Sequence, residues 1–219
     1  MDKYNIFTLK TMSKKQIENP VVKVNFSEAK DFADLGAIVQ DLGSVMTICL
    51  RIEKLMKSNS KDHVLIESYW TTAVIKYSRC FKDSKRFGLD ESVLDGLAGD
   101  PHGAHKYYLD MRDKHVAHSV NAFEKNCAGL VLTPEDSKEQ KVIGVAALSM
   151  KHSVADKKGV HQLGVLSKVL LKKVCDIAKQ YEDKTLAKGK KLPIRELYKR
   201  PRMSLSAPSP DESKTARKS

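Results

Sequence analysis

The chain has 219 residues, 41% hydrophobic and 30% charged, and its 39 Lys+Arg against 27 Asp+Glu give a formal net charge of +12. That apolar fraction excludes a wholly disordered chain, and the length suits one sizeable core better than two small ones. No uninterrupted apolar run approaches the roughly 20 residues that cross a bilayer. The start Met1-Asp2-Lys3-Tyr4 lacks the pattern of a secretory signal.

Cys49, Cys80, Cys127 and Cys175 stand far apart with no CxxC, so they read as buried free thiols in a reducing cytoplasm. The expected setting is therefore cytoplasmic, with no membrane partner. The charge is uneven. Residues 1–150 hold 21 basic and 20 acidic side chains, whereas residues 151–219 hold 18 and 7. Positive charge concentrated at one end attracts a polyanion through counterion release, or simply keeps the chain soluble.

Residues 1–26 have no sustained period beyond a short strand-like run, Val21-Val22-Lys23-Val24. Ser27 offers an N-cap and Glu28 a first-turn acid for a first helix. Phe32, Leu35, Val39, Leu42, Met46, Cys49, Ile52 and Met56 then recur at spacings of three and four, and Ile38, Val45, Ile48 and Leu55 widen the stripe. So broad an apolar face belongs to a bundle helix with two neighbours, ended by Lys57-Ser58-Asn59-Ser60.

Asp62 caps a second long helix that carries Leu65, Ile66, Tyr69, Trp70, Ala73, Val74, Tyr77, Cys80 and Phe81. It fades toward Arg86-Phe87-Gly88, where Gly88 can take the left-handed closing conformation. A short helix over residues 90–98 and the breakers Gly99 to Gly103 precede a third helix, from about His102 to Val120.

The period then changes. Residues 128–133 and 141–146 are short β-like runs, and Pro134 to Gln140 between them suits a hairpin loop. Leu163, Leu166, Leu170, Val174, Ile177 and Tyr181 mark a fourth helix over roughly 158–186. Beyond Lys188 the chain is basic, and from Ser204 it is rich in Ser and Pro and expected to be disordered. The fold expected is mainly α: a four-helix core with a small β-hairpin between its last two long helices.

The stretch richest in chemistry is Tyr107-Tyr108-Leu109-Asp110-Met111-Arg112-Asp113-Lys114-His115-Val116-Ala117-His118-Ser119. Histidine titrates near pH ~6.5 and exchanges protons at neutral pH. Arginine stays charged and offers a planar fork to phosphate oxygens. An Arg, a polar residue and a His six positions after the Arg, in the string Arg-Asp-Lys-x-x-Ala-His, resemble the R-x(4–6)-H signature of the HEPN superfamily. With Tyr77-Ser78-Arg79-Cys80-Phe81 on an upstream helix, the chain looks like the abortive-infection branch of that superfamily over roughly residues 28–185.

The resemblance implies a HEPN-like helical domain over 27–187, flanked by an extension at 1–26 and a basic tail at 188–219. It further implies a homodimer that cleaves RNA without a metal or other cofactor, as a toxin or phage-defence effector under the control of an antitoxin or regulatory protein. Carried over, Arg112 and His118 are the catalytic positions, and Asp113 is the polar residue after the Arg. Lys114, His115, Lys190, Lys191 and Arg195 are the candidate contacts to the RNA backbone. At about 100° per residue, Arg112 and His118 sit about 120° apart on an α-helix. They would flank a groove, an arrangement that a dimer serves better than a monomer.

Blander readings stand beside this one. Tyr108, Met111, His115 and His118 share a helix side, so both histidines also suit a satisfied core, and Arg112 suits a surface ion pair with Asp110 or a neighbour. The same domain could then be a dimeric module that binds RNA or protein without turnover, or a scaffold whose basic tail makes the contact. His102/His105 and His115/His118 form two HxxH pairs, but thirteen residues of helix set them about 20 Å apart, too far to share one metal ion. His102 and His105 read as a solvated helix start or the edge of an RNA groove. Asp90, Glu91, Asp95 and Asp100 read as loop and cap residues, and the aromatic residues of the second helix as core. No phosphate-binding loop is present.

Overall fold

The structure is a computed structural model that describes residues 19–81, 87–117, 124–151 and 155–203, with positions 209 and 211; residues 115–117, 124 and 151 are described in backbone only. In chain order come α1 (Ser27–Lys57), α2 (His63–Ser78), a 3-10 turn (Glu91–Leu94), α3 (Pro101–Met111), a π-helical turn (Arg112–Ala117), β1 (Glu124–Leu132), β2 (Val142–Lys151), α4 (Lys157–Gly189) and the short α5 (Ile194–Tyr198). The protein is mainly helical with one small antiparallel sheet.

The chain divides into a central unit, Asp41–Asp83 with Leu89–Leu170, and a terminal unit made of residues up to Gln40, Ser84–Gly88 and those from Leu171. In the central unit the apolar stripes expected from spacing close into one core. Leu42, Val45, Cys49 and Ile52 of α1, Trp70, Val74 and Tyr77 of α2, Tyr108 and Met111 of α3, and Leu163 and Leu170 of α4 are all buried. Each large apolar side chain taken from water contributes about 1.5–3 kcal/mol. The aromatic rings meet edge-on, Trp70 on Tyr108 at 6.1 Å and Tyr77 on Tyr108 at 5.5 Å between centroids. That geometry sets a ring edge against a π face. The Tyr108 hydroxyl donates to the Gly159 carbonyl at 2.9 Å and so ties α3 to the start of α4.

In the terminal unit Leu35, Ile38 and Val39 of α1 and Val174 and Ala178 of α4 are buried. Asp34 accepts the Phe87 N–H at 3.1 Å, Phe87 meets Tyr181 edge-on, and Lys188 pairs with Glu28 at 2.6 Å. By length and apolar content α1 alone, among the described residues, resembles a membrane-crossing helix. It nevertheless carries the buried carboxylates of Asp34 and Asp41.

Several sequence expectations need correction. Ser27 is the first helical residue rather than the cap, since the Ala29 and Lys30 amides bond to the Phe26 carbonyl. Helix α2 ends at Ser78, well before Gly88, because the Cys80 and Phe81 amides fold back onto Tyr77 and Ser78 and Leu89 N–H then bonds to Cys80. The third helix stops being α-helical at Met111. The strands are longer than the short runs expected at 128–133 and 141–146, because ladder pairing continues from Cys127↔Leu148 out to Lys125↔Met150 whatever the side-chain polarity. Residues 188–203, expected to begin a loose tail, hold the end of α4, then α5, then a bridge between Arg202 and Val22 with Lys23 N–H bonded to Pro201. Nearly all of the Ser/Pro-rich stretch from 204 lies outside the described residues.

Asp62 does cap α2, accepting the Leu65 N–H at 2.9 Å, a contact worth about 1 kcal/mol. Asp90 and Asp100 likewise cap the 3-10 turn and α3.

Candidate functional site

The site is built on α3 and the turn that follows it. Asp100 and Pro101 start α3, with Asp100 accepting the Gly103 N–H at 2.8 Å. A Cβ at Gly103 would lie 2.1 Å from the Asp100 carboxylate, so any larger residue there would displace the capping side chain. Helix α3 carries His105, Tyr108 and Met111 inward and then loosens at Arg112 into the π-helical turn. Such turns relax the i→i−4 ladder and are frequent where function needs unusual side-chain placement. The 120° separation expected between Arg112 and His118 assumed α-helical winding, which this turn does not have.

Arg112 lines a cleft of about 270 Å³ together with Ser78, Phe81, Leu89, Glu91 and His105. Its side chain is 28% exposed, and its Nε donates to Asp113 Oδ1 at 2.7 Å. The carboxylate therefore fixes one edge of the guanidinium plane. Lys114 pairs with Asp110 one turn back at 3.3 Å. His115 lies in the π-helical turn, where only its backbone is described, and His118 lies outside the described residues. Lys190 and Lys191 follow α4 and Arg195 sits on α5, all three exposed in the terminal unit, whereas Arg112, Asp113 and Lys114 belong to the central unit.

His105 is the residue that the sequence reading misplaced. It was expected at a solvated helix start or an RNA-groove edge, yet it is 2% exposed. Its Nδ1 lies 3.0 Å from the Tyr77 hydroxyl, and its ring meets that of Phe81 at a tilt of 50° with 4.1 Å between centroids. Its Nε2 is buried without a hydrogen bond, 3.8 Å from Glu91 Oε1. Burial holds the imidazole below its ordinary pKa, against an opposing pull from Glu91, with His102 adding to the lowering. The ring is therefore neutral at pH 7. Seven residues separate His105 from Arg112, close to two helical turns and about 10 Å of rise, so they share one face. That spacing was the signal available in the sequence. His102, by contrast, is exposed and pairs with Asp95 at 3.0 Å, so the first HxxH pair points two ways.

A second polar cluster was also missed. Asp41 on α1 is buried and bonded by Arg79, whose Nε donates to Oδ2 at 2.6 Å and whose Nη2 reaches Oδ1, and by Lys76 at 3.2 Å. Burial raises the Asp41 carboxyl, but the Arg79 and Lys76 hydrogen bonds outweigh it and hold the group below its ordinary pKa. Only its position on the apolar stripe of α1, a carboxylate among core residues, hinted at this.

The cysteines offer no activated thiol among those with a resolved shift. Burial, with Glu53 adding to it, pushes Cys49 up to about 12, and burial likewise raises Cys175. Cys127, exposed on β1, and Cys175, only half-buried on α4, correct the expectation of four buried thiols.

No family model, curated protein or solved structure matches the chain.

Chemically, the cleft offers one oriented cation for a phosphate, a carboxylate acceptor in Glu91 and a neutral imidazole behind them.

Proposed function

We propose that the protein is a metal-independent RNA endonuclease on a HEPN-like four-helix scaffold, acting in the cytoplasm as a homodimeric toxin or phage-defence effector. The observation that carries the reading is Arg112, which opens a π-helical turn on the edge of a cleft with its guanidinium oriented by Asp113. The motif string through His118 and the basic last third support it.

In the reaction the ribose 2′-oxygen attacks the adjacent phosphorus while a base takes its proton. The bond from phosphorus to the 5′-oxygen breaks, and that oxygen leaves with a proton, giving a 2′,3′-cyclic phosphate and a 5′-hydroxyl. Arg112 stabilises the charge that gathers on the non-bridging oxygens. His118, by resemblance, exchanges the protons.

The purified chain is expected to cleave RNA in EDTA with cyclic phosphate ends. Arg112→Ala lowers the rate by about 10²–10³-fold, the usual loss for one transition-state donor, and His118→Ala lowers it comparably. Unchanged cleavage by both variants removes these residues from the mechanism.

One observation favours a second reading, a dimeric HEPN-like module that binds RNA or a regulatory protein without turnover. Arg112 already engages Asp113, as a purely structural ion pair would. Salt-sensitive RNA binding with no cleavage by the wild type selects that reading.

A further inference from the structure

The cleft beside Arg112 contains a buried donor that the cleavage reading leaves idle. Tyr77 is fully buried, and burial keeps its phenol protonated. Among the described residues its hydroxyl meets one acceptor, His105 Nδ1 at 3.0 Å. The phenol therefore donates to Nδ1, and the ring's own proton sits on Nε2. That N–H is buried and unpaired, in a residue only 2% exposed. Native interiors rarely leave a donor so placed, which marks it as a group waiting for an acceptor.

What surrounds Nε2 narrows that acceptor. Glu91 Oε1 stands 3.8 Å away, beyond hydrogen-bond range, on a side chain that is 66% exposed and lines the same cleft. An anion is repelled from that carboxylate. Whatever reaches Nε2 must accept a hydrogen bond there and donate to Glu91 beside it. Phe81, Leu89 and Leu109 supply apolar walls, the first two buried. Arg112 lines the cleft about 10 Å of helical rise beyond His105. An uncharged polar ring between apolar walls, joined to an anion at Arg112, is the chemistry of a nucleotide. At about 270 Å³ the cleft lies just under the roughly 300 Å³ where ligand sites begin, which suits one base rather than a larger cofactor.

We infer that the cleft is a guanine-recognition pocket, in which His105 Nε2–H donates to the base O6 and Glu91 accepts from its N1–H and N2 amine. Single-stranded RNA is commonly read through the Watson–Crick edges of bases splayed onto protein groups. Guanine fits because that edge lines up one acceptor and two donors, and a carboxylate has two oxygens to take both. Adenine and cytosine present a single donor group there. In uracil the N–H is flanked by two carbonyls, one of which would face the second Glu91 oxygen. Glu91 rotates outward to admit the base, as its exposed place on the 3-10 turn allows. The inference rests on the cleavage reading for the phosphate at Arg112 and adds to it the base that adjoins the cut.

The test is calorimetric titration of the full chain with the 3′-monophosphates of guanosine, inosine, adenosine, cytidine and uridine. The guanosine form is expected to bind about 10-fold or more tighter than the adenosine, cytidine and uridine forms, the scale of one good bidentate base contact. The inosine form, which lacks the N2 amine, is expected between them. Glu91→Gln, a change at an exposed side chain, is expected to bring the guanosine form down to the level of the adenosine form. Nitrogen NMR of labelled histidine is expected to find the His105 proton on Nε2, and to see that nitrogen shift with guanosine but not adenosine monophosphate. Equal binding of all the nucleotides or of none, a guanine preference that survives Glu91→Gln, or a proton on Nδ1 overturns the pocket. Cleavage in EDTA beside every base alike overturns it too, while the cleavage reading stands. Guanine-selective binding with no cleavage upholds the pocket and removes turnover instead.

Discussion

At the scale of single residues, two buried polar groups decide how the central unit responds to pH and to substitution. Burial lowers the pKa of His105 against the opposing pull of Glu91, while its Nδ1 meets the Tyr77 hydroxyl. Its folded pKa lies below the unfolded value, so between the two the unfolded chain binds the extra proton and stability rises with pH. The contribution is complete above the unfolded value near pH 6.5 and is lost as pH falls through the folded one. Urea unfolding at pH 5 and pH 7.5 should therefore show a smaller difference for His105→Gln than for the wild type; equal differences would clear His105 of this role.

Asp41 poses the opposite problem, a carboxylate kept ionised inside the core by Arg79 and Lys76. Arg79→Ala should lower the unfolding free energy by roughly 2–3 kcal/mol. This is somewhat less than the cost of breaking a fully buried pair, because Arg79 is half exposed and Lys76 remains. A loss below ~0.5 kcal/mol in denaturant titration would place this contact among ordinary surface pairs.

At the scale of elements, close approach matters more than propensity. Helix α4 meets α1 at Gly164, where an added Cβ would stand 3.1 Å from the Cys49 Cβ. Gly164→Leu should therefore overpack the central core and cost about 1–3 kcal/mol, read as a lower denaturant midpoint at unchanged slope. A neutral or stabilising result would mean that the helices part there at little cost. The π-helical turn after α3 is the other consequential element, since it sets the direction of Arg112 at the cleft. The hairpin stands apart from both. Its pairing is regular except for a bulge between Val131 and Leu132, and its loop is closed by Thr133, which accepts the Lys141 N–H and donates to the Glu139 carbonyl.

At the scale of the whole molecule, charge separates what each unit can contribute to binding. The central unit presents an oriented Arg112 in a cleft that also holds Glu91. The terminal unit presents the exposed Lys190, Lys191 and Arg195. If those three contact the backbone of single-stranded RNA, neutralising them should reduce the slope of log affinity against log salt by about 2, at roughly 0.7 per phosphate contact. An unchanged slope in the triple alanine variant, measured by fluorescence anisotropy, would assign these cations to solubility alone.

Much of the helical scaffold was legible before any coordinates. Spacings of three and four in α1, α2 and α4 follow from 3.6 residues per turn, and a helix buries the face that carries them. The Asp62 cap and the hairpin loop were equally local, because a turn or cap is written in neighbouring residues. The sequence by itself therefore determined where the long helices run and that a strand pair interrupts them. Only the tertiary structure decided that α2 stops at Ser78, that α3 gives way to a π-helical turn at Arg112, that His105 rather than His102 is buried, and that Asp41 sits in the core with Arg79. Each of these depends on what another segment of the chain brings to the spot: the Leu89 amide at Cys80, the ring of Phe81 and phenol of Tyr77 on His105, and two cations from α2 and its end on Asp41. Desolvation and long-range pairing are set by neighbours distant in sequence, and no local period encodes them.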